Sequence, residues 1–295
     1  MISLFKIRCY IDLMKPELTG LSVLSSLCSF YVGSNLGMDI EAAIWVSIGT
    51  SLVGGGAGAL NQYFERRYDA LMKRTERRPI PSGRIPALHA LVFGNSIALL
   101  GLVVLAVFNN LLTAFFAALT LVTYLVLYTP LKRVVWWNTL VGAVPGALPT
   151  LIGWAAARNE ITIGAWILFG ILFAWQIPHF LSLAWMYKKD YARAGFRMLP
   201  VIDEQGKRTS LHILVWSSFL LVVSILVGWI GLTGSFYLFS AFILGAGFIS
   251  FAVLFRLSTS GTSHQAMSNN YSRRIFFSSL LYLPALMLAM VVDKV

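Results

Sequence analysis

The sequence has few charged residues: Asp, Glu, Lys and Arg make up 12% of its 295 residues, against about 25% in soluble domains. It contains only two cysteines, which argues against a disulfide framework and a cysteine metal cluster. Acidic residues number 12 against 23 basic ones. No basic soluble segment with interleaved aromatic residues is present, so the excess positive charge does not indicate a nucleic-acid partner.

Long apolar runs dominate the sequence instead. Apolar residues make up 58% of the chain and the mean hydropathy is +0.75. Nine segments reach the roughly 20 apolar residues that a transmembrane helix needs, which predicts an all-α polytopic membrane protein forming one domain over residues 1–295. These segments lie near 18–36, 42–64, 86–108, 109–129, 138–157, 161–186, 210–232, 234–255 and 275–292.

The basic residues predict an orientation for these nine spans. Of the 23 Lys and Arg residues, all but Arg158 and Lys294 fall on one side. The positive-inside rule then places the N-terminus in the cytoplasm and the C-terminus outside. The N-terminus lacks an Arg/Ser-rich transit peptide, which favours a bacterial cytoplasmic (inner) membrane. Two long charged loops, about 65–85 and 187–209, emerge on the cytosolic side and are candidate catalytic loops.

The most informative motif is an acidic pattern at the cytosolic end of the second span. Asn61, Glu65 and Asp69 are spaced four residues apart and so share one helix face. Carboxylates four residues apart repel each other, and Mg²⁺ is usually held by one or two carboxylates plus substrate phosphates. The pattern predicts a Mg²⁺–diphosphate site at the membrane surface; the alternative is an ordinary solvated helix end.

Basic residues that suit phosphate oxygens lie close by in the sequence. Arg74 and Arg78 follow the acidic motif, and Lys132 and Arg133 follow the fourth span. We expect these four to bind the diphosphate, with Tyr128 positioning Lys132. The alternative for Tyr128 and Lys132 is an interfacial tyrosine beside a lysine that extends to the headgroups.

The sixth span contains polar residues that are costly within a membrane. Trp175, Gln176 and His179, grouped with Asn138 of the fifth span, are candidates for the lining of a large ligand site, and an imidazole is a common iron ligand in haem proteins. Alternatively, these groups satisfy a carbonyl that Pro178 leaves free.

Asp190 is the one acidic residue in a basic stretch of the second cytosolic loop. It is a candidate second anchor for metal or phosphate, facing the Glu65 and Asp69 pair. The alternative is a local ion pair with one of its basic neighbours.

Taken together, these motifs resemble the UbiA superfamily of intramembrane prenyltransferases. Asn61-x3-Glu65-x3-Asp69 is similar to the superfamily's first acidic motif, Asn-x3-Asp-x3-Asp, and Tyr128-x3-Lys132 to its Tyr-x3-Lys motif. Two further stretches resemble the haem-farnesylating branch, and the likeness extends from Lys15-Pro16 to the last span. These stretches are Trp175-Gln-x-Pro-His179-Phe and Tyr187-x-x-Asp190-Tyr-x-x-Ala-Gly-x-x-Met-Leu-Pro200.

The sequence departs from the superfamily pattern at two positions. Glu65 replaces an aspartate, which keeps the charge and adds one methylene. Ala194 stands four residues after Asp190, where most members have a second aspartate. The second departure is shared with the haem-farnesylating branch and so favours that branch.

The resemblance implies a UbiA-like bundle that transfers a farnesyl group from farnesyl diphosphate to a vinyl group of haem b, giving haem O for terminal oxidases. It implies Mg²⁺ as cofactor, held through the diphosphate by the acidic motif and Asp190, with Tyr128 and Lys132 in the catalytic site. Haem A synthase and oxidase assembly proteins are candidate partners within the lipid bilayer.

Two other functions remain open at this point. One is a UbiA-type prenyltransferase that acts on an aromatic or quinone precursor. The other is a transporter or a haem-binding membrane protein without chemistry. Transporter sites usually lie near the bilayer midplane, whereas the charged candidates here cluster at the cytosolic ends of the spans.

Overall fold

The computed structural model of the protein describes residues 4–34, 37–260 and 265–295. Within these ranges the regular elements are helices, as the sequence predicts, and the one β-type pairing is an isolated bridge between Thr233 and Lys294. The helices are α1 (Leu4–Leu13), α2 (Pro16–Gly33), α3 (Ile40–Asp69), α4 (Ala87–Phe108), α5 (Leu111–Val122), a π-helix (Thr123–Tyr128), α6 (Thr129–Leu131), α7 (Asn138–Arg158), α8 (Ile163–Met186), α9 (Lys188–Arg193), α10 (Leu199–Ile202), α11 (Lys207–Trp229), α12 (Ser235–Ser260) and α13 (Gln265–Val292).

Eight helices among the described residues are long and apolar enough to cross a membrane, one fewer than the nine expected. The chain is therefore a multi-pass membrane protein, but the predicted count was too high. The segment expected at 18–36 forms the 18-residue helix α2, whose Glu17 and four serines lower its hydropathy; residues 35–36 lie outside the described ranges.

Helix α2 nevertheless runs from one end of the bundle to the other. Lys15, just before its first turn, contacts Asn61 of α3. At its far end the Gly33 carbonyl accepts a hydrogen bond from Arg158 at 2.6 Å, and Lys294 donates to the carbonyl of Ser34. Arg158 and Lys294 are the two basic residues that the sequence places on the other side from the rest. They therefore lie together at the end of α2 opposite the acidic motif, where cations stabilise free helix carbonyls.

The length of α3 determines where its acidic motif lies. Thirty residues extend about 45 Å at 1.5 Å per residue, whereas the hydrocarbon core of a bilayer is about 30 Å thick. Helix α3 is therefore longer than the hydrocarbon core is thick, and Glu65 and Asp69 lie in its last turns. Further back, Gly58 lies so close to the carbonyl oxygens of Leu13 and Met14 that a side chain there would press against backbone, at 3.1 Å.

The remaining helices pack around the pair formed by α2 and α7. Helix α3 packs against α4 and α2, while α7 also contacts α5 and α8. Helices α11, α12 and α13 complete the bundle on the other side of α8. The interior is a continuous apolar cluster that includes Trp154, Tyr237 and Tyr282, so the polar groups of α3 gather at one end of the bundle.

Candidate active site

The acidic motif forms a buried face at the end of α3. Asn61, Glu65 and Asp69 are 1%, 6% and 0% exposed, whereas Phe64 on the opposite face is 49% exposed. The four-residue spacing placed all three on one side of the helix, as predicted. Burial of two carboxylates requires compensating cations, and each carboxylate has one.

Lys132 compensates Glu65. Its Nζ lies 2.8 Å from Glu65 Oε1 and 4.5 Å from the centre of the Tyr128 ring. Burial by itself lowers the pKa of Lys132, but the Glu65 carboxylate outweighs burial and raises it above the usual value. The Tyr128 ring fits against Gly142 of α7, where a Cβ atom would overlap it. The structure thus brings Glu65, Lys132 and Tyr128 together.

Arg78 compensates Asp69. Its Nη1 donates to both carboxylate oxygens, at 2.9 and 2.8 Å. The loop between α3 and α4 is folded back to reach this position, and the Thr75 hydroxyl donates to the Asp69 carbonyl at 2.8 Å. Of the two loop arginines predicted to bind diphosphate, Arg78 therefore joins the cluster directly.

Lys15 is a third cation of the cluster, and the sequence pattern did not identify it as a site residue. Its Nζ donates to Asn61 Oδ1 at 2.6 Å. Burial and the nearby Arg78 guanidinium lower the pKa of Lys15 to about 7. Lys15 has a left-handed backbone conformation, φ 51°, at the corner between α1 and α2. Gln62 fixes this corner by donating to the carbonyls of Asp12 and Leu13, both at 3.1 Å.

The cluster suits a polyanion held with a divalent metal. Two carboxylates and three cations give the cluster a net charge of one positive unit. A bound Mg²⁺ would raise this net charge to three, which balances the three negative charges on an allylic diphosphate. Among the residues that the structure describes, no three His, Cys, Asp or Glu side chains gather to hold a metal alone. The amide and carboxylate oxygens are nevertheless the hard donors that Mg²⁺ prefers, with phosphate oxygens completing its coordination.

Three other predicted residues lie at the edge of this cluster rather than within it. Arg74 stacks on the rings of Tyr187 and Tyr191, at 5.4 and 5.5 Å from their centres, and so joins the two long charged loops. Arg133 contacts the ring and hydroxyl of Tyr68.

Asp190 Oδ1 lies 3.3 Å from Nη2 of Arg193, which is three residues further along the same short helix. This contact matches the local ion pair that the sequence analysis gave as the alternative for Asp190. A role for Asp190 as a second anchor is not supported by this contact.

Gln176 and His179, two polar residues of α8, face different neighbouring helices. Gln176 faces α7, where its Nε2 donates to the Ala143 carbonyl at 3.2 Å. His179 faces α13: its Nδ1 lies 2.7 Å from Ser279 Oγ, and its ring stacks on that of Trp175. Trp175 Nε1 also donates to the Ser279 carbonyl, at 2.8 Å. These contacts bind α8 to its neighbours, and none of them goes to the Ala174 carbonyl that Pro178 leaves free.

Asn138 connects the start of α7 to the loop that contains Arg197. Its Nδ2 donates to the carbonyls of Val135 and Arg197, at 2.5 and 3.2 Å, and the Arg197 amide donates to the Lys132 carbonyl at 2.9 Å. Its buried Oδ1 has no protein partner among the described residues. Asn138 thus supports the loop that carries Lys132.

Comparison with known sequences gives a family match over most of the chain. The UbiA prenyltransferase family matches residues 22–281. The protoheme IX farnesyltransferase of Solibacter usitatus is 43% identical over 97% of this chain and 99% of its own length. That of Salinibacter ruber is 43% identical over 96% and 98%, and that of Opitutus terrae is 41% identical over 98% and 95%.

Solved structures share the fold at low sequence identity. A structure described as that of digeranylgeranylglyceryl phosphate synthase matches with a TM-score of 0.79 at 18% identity, covering 98% of this chain and 99% of the other. A UbiA homolog from Archaeoglobus fulgidus, bound to GPP and Mg²⁺, matches with a TM-score of 0.67 at 15% identity, covering 96% and 99%. At these identities the likeness concerns the fold alone.

Proposed function

Because the chain belongs to the UbiA prenyltransferase family, we propose that it transfers a farnesyl group from farnesyl diphosphate to a vinyl group of haem b, giving haem O and diphosphate. Relatives that are 41–43% identical over nearly the whole chain are named protoheme IX farnesyltransferase. The observation that carries the proposal is the buried cluster in which Lys15, Lys132 and Arg78 surround the acidic face of α3.

In this proposal the oxygens of Asn61, Glu65 and Asp69 hold Mg²⁺ together with the diphosphate. The metal supplies Lewis acidity to the leaving group when it is bound. We place Arg74, Arg133 and Asp190 at the rim of the site, where the two cytosolic loops meet above the cluster.

The residues of this chain act mainly on the leaving group. When the allylic C–O bond breaks, its electron pair leaves with the diphosphate, and negative charge grows on the bridging oxygen. Lys132 and Arg78 are fixed within the cluster by their ion pairs and need little reorganisation to stabilise that charge. The Tyr128 ring lies beside Lys132 and helps to hold its ammonium group in place through a cation–π contact.

The acceptor completes the reaction. A vinyl carbon of the haem forms the new C–C bond with the farnesyl carbon, which leaves a cation on the neighbouring vinyl carbon. Water then adds to that cation and loses a proton, giving a hydroxyethylfarnesyl side chain. The apolar interior of the bundle keeps bulk water from the allylic cation until the C–C bond has formed. Gln176, His179 and Trp175 act here by setting the packing of α8.

A direct assay tests the proposal. Membranes containing the protein, supplied with haem b, farnesyl diphosphate and Mg²⁺, should yield a farnesylated and hydrated haem on chromatography and mass spectrometry, and EDTA should abolish it. Absence of this product, while a relative of established activity is active in parallel, would contradict the haem assignment. Prenylation of an aromatic or quinone precursor under the same conditions would favour the alternative acceptor.

Replacing Arg78 by alanine should mainly weaken substrate binding. Arg78 is 28% exposed, so water can enter beside the Asp69 carboxylate that its loss leaves without a cation, and the main effect is the lost contact to diphosphate. We expect the KM for farnesyl diphosphate to rise about tenfold, the equivalent of about 1.4 kcal/mol. Arg77→Ala, at an exposed neighbouring position, is the matched control, and an equal effect in both variants would remove Arg78 from the site.

We also propose the bacterial cytoplasmic membrane as the location, with the acidic cluster on the cytosolic side. The grouping of Arg158 and Lys294 at the opposite end of α2 supports this orientation, because nearly all other basic residues lie on the side of the cluster in the sequence.

A further inference from the structure

Two hydrogen-bond partners hold the side-chain amide of Asn61, and both favour the same orientation of its oxygen and nitrogen. Lys15 Nζ donates to Asn61 Oδ1 at 2.6 Å, and Asn61 Nδ2 donates to the hydroxyl of Thr129 at 3.2 Å. An ammonium group can only donate hydrogen bonds, so Lys15 requires the oxygen of the amide on its own side. Thr129 lies on the other side, at the start of α6.

The hydroxyl of Thr129 has only one proton, and the structure shows where that proton goes. Thr129 Oγ1 donates to the carbonyl of Tyr124 at 2.9 Å. Toward Asn61 the hydroxyl can therefore act only as an acceptor. It accepts a hydrogen bond from the NH2 group of Asn61 and could form none with the Asn61 oxygen. Oδ1 must therefore face the acidic cluster.

The π-helix between α5 and α6 supplies the acceptor for that proton. In this segment the amide of Thr129 bonds to the Tyr124 carbonyl, five residues earlier. The same carbonyl also receives the Thr129 hydroxyl. Isolated π-helical turns often occur at functional sites, and here the turn brings Thr129 to Asn61.

We infer that Thr129 is a positioning residue that keeps Asn61 Oδ1 turned toward the metal. The inference rests on the proposed function, in which Asn61 binds Mg²⁺. Lys15 and Mg²⁺ are both cations and repel each other at the same amide oxygen, so a bound metal weakens the hold of Lys15 on Asn61. Thr129 contacts the other end of the amide and keeps its contact in both states. Thr129 and Asn61 are both buried, which leaves water little access to replace the hydroxyl.

Thr129→Val and Thr129→Ser separate the hydroxyl from the volume of the side chain. Valine matches threonine in shape and lacks the hydroxyl, whereas serine keeps it. Partners that orient a metal ligand from behind typically contribute 10–100-fold to metal affinity or activity. We expect Thr129→Val to raise the Mg²⁺ concentration for half-maximal activity by about 10–100-fold. Thr129→Ser should stay within about threefold of the unmodified protein, a factor below that range.

A binding measurement supplements the activity data. Equilibrium dialysis of Mn²⁺ with the purified protein and inorganic diphosphate should show the same loss of affinity in Thr129→Val. An unchanged Mn²⁺ affinity in this variant would overturn the inference and leave the proposed function intact. Failure of the unmodified protein to bind Mn²⁺ would overturn both.

The same measurement in an Asn61→Asp background distinguishes orientation from folding. A carboxylate has two equivalent oxygens and needs no partner to choose between them. We therefore expect Thr129→Val to weaken Mn²⁺ binding much less in this background. An equal loss in both backgrounds would mean that Thr129 acts only through packing, and would overturn the inference even where Thr129→Val alone folds poorly.

Discussion

Replacing Lys132 by methionine is expected to abolish prenyl transfer and to destabilise the folded protein. Methionine has nearly the length of lysine without its charge. Loss of a preorganised cation at a developing negative charge typically costs about 10²–10³-fold in rate. The variant also leaves the Glu65 carboxylate, 6% exposed, without its partner at 2.8 Å. An uncompensated buried charge costs about 3–5 kcal/mol, measurable as a lower thermal midpoint in detergent.

A double variant separates the two losses. Glu65→Gln combined with Lys132→Met removes both charges, so no buried ion is left unpaired. We expect stability to recover, because a neutral pair can replace a buried ion pair at little cost, while activity stays lost because both Lys132 and the Glu65 carboxylate proposed to bind Mg²⁺ are absent. Recovery of activity would show that Lys132 only stabilises the fold. Lys189→Met, at an exposed position in the second loop, controls for a general loss of positive charge.

The second large effect is expected for Asp69→Asn, which keeps the side-chain volume and removes one charge. Asp69 is fully buried and is the last oxygen donor of the acidic face. Asparagine offers one weaker oxygen donor, so we expect turnover to fall about 10²–10³-fold. Arg78, 28% exposed, remains in contact with water, so the stability cost should be near that of a charged hydrogen bond, about 1.5–3 kcal/mol.

The measurement for Asp69→Asn is the rate of haem farnesylation as Mg²⁺ is raised, with thermal unfolding recorded in parallel. Glu76→Gln removes an acid at an exposed position of the same loop and should leave the rate unchanged. Normal activity of Asp69→Asn would contradict its assignment to the metal site. Equal losses in both variants would trace the effect to net charge rather than to the cluster.

Helix periodicity predicted the acidic face of the site well. Asn61, Glu65 and Asp69 share one side of α3 because their spacing is local to a single helix. The sequence also singled out Lys132, after the fourth span, and Arg78, in the first loop, and the structure pairs each of them with a carboxylate of that face. The predicted number of spans was one too high. Helix α2 carries Glu17 and four serines, and whether such a helix crosses the bundle depends on the neighbours that cover its polar groups.

Local sequence patterns did not predict the contacts between residues that are distant in the chain. Lys15 reaches Asn61 only because Gln62 holds the corner before α2 against α3. Arg74 binds two tyrosines more than 100 residues away. His179 and Gln176, three residues apart, face different helices, so their shared motif does not mean a shared site.

By itself, the sequence determined that this protein is a helical membrane protein with an acidic motif and basic loops, because hydropathy and helical spacing are properties of neighbouring residues. Only the tertiary structure decided which cation pairs with which carboxylate, and that Lys15 and Thr129 hold the two ends of the Asn61 amide. Those pairings join residues that are 46 and 68 positions apart in the chain, and they form only when α2, α3 and the π-helical segment pack together.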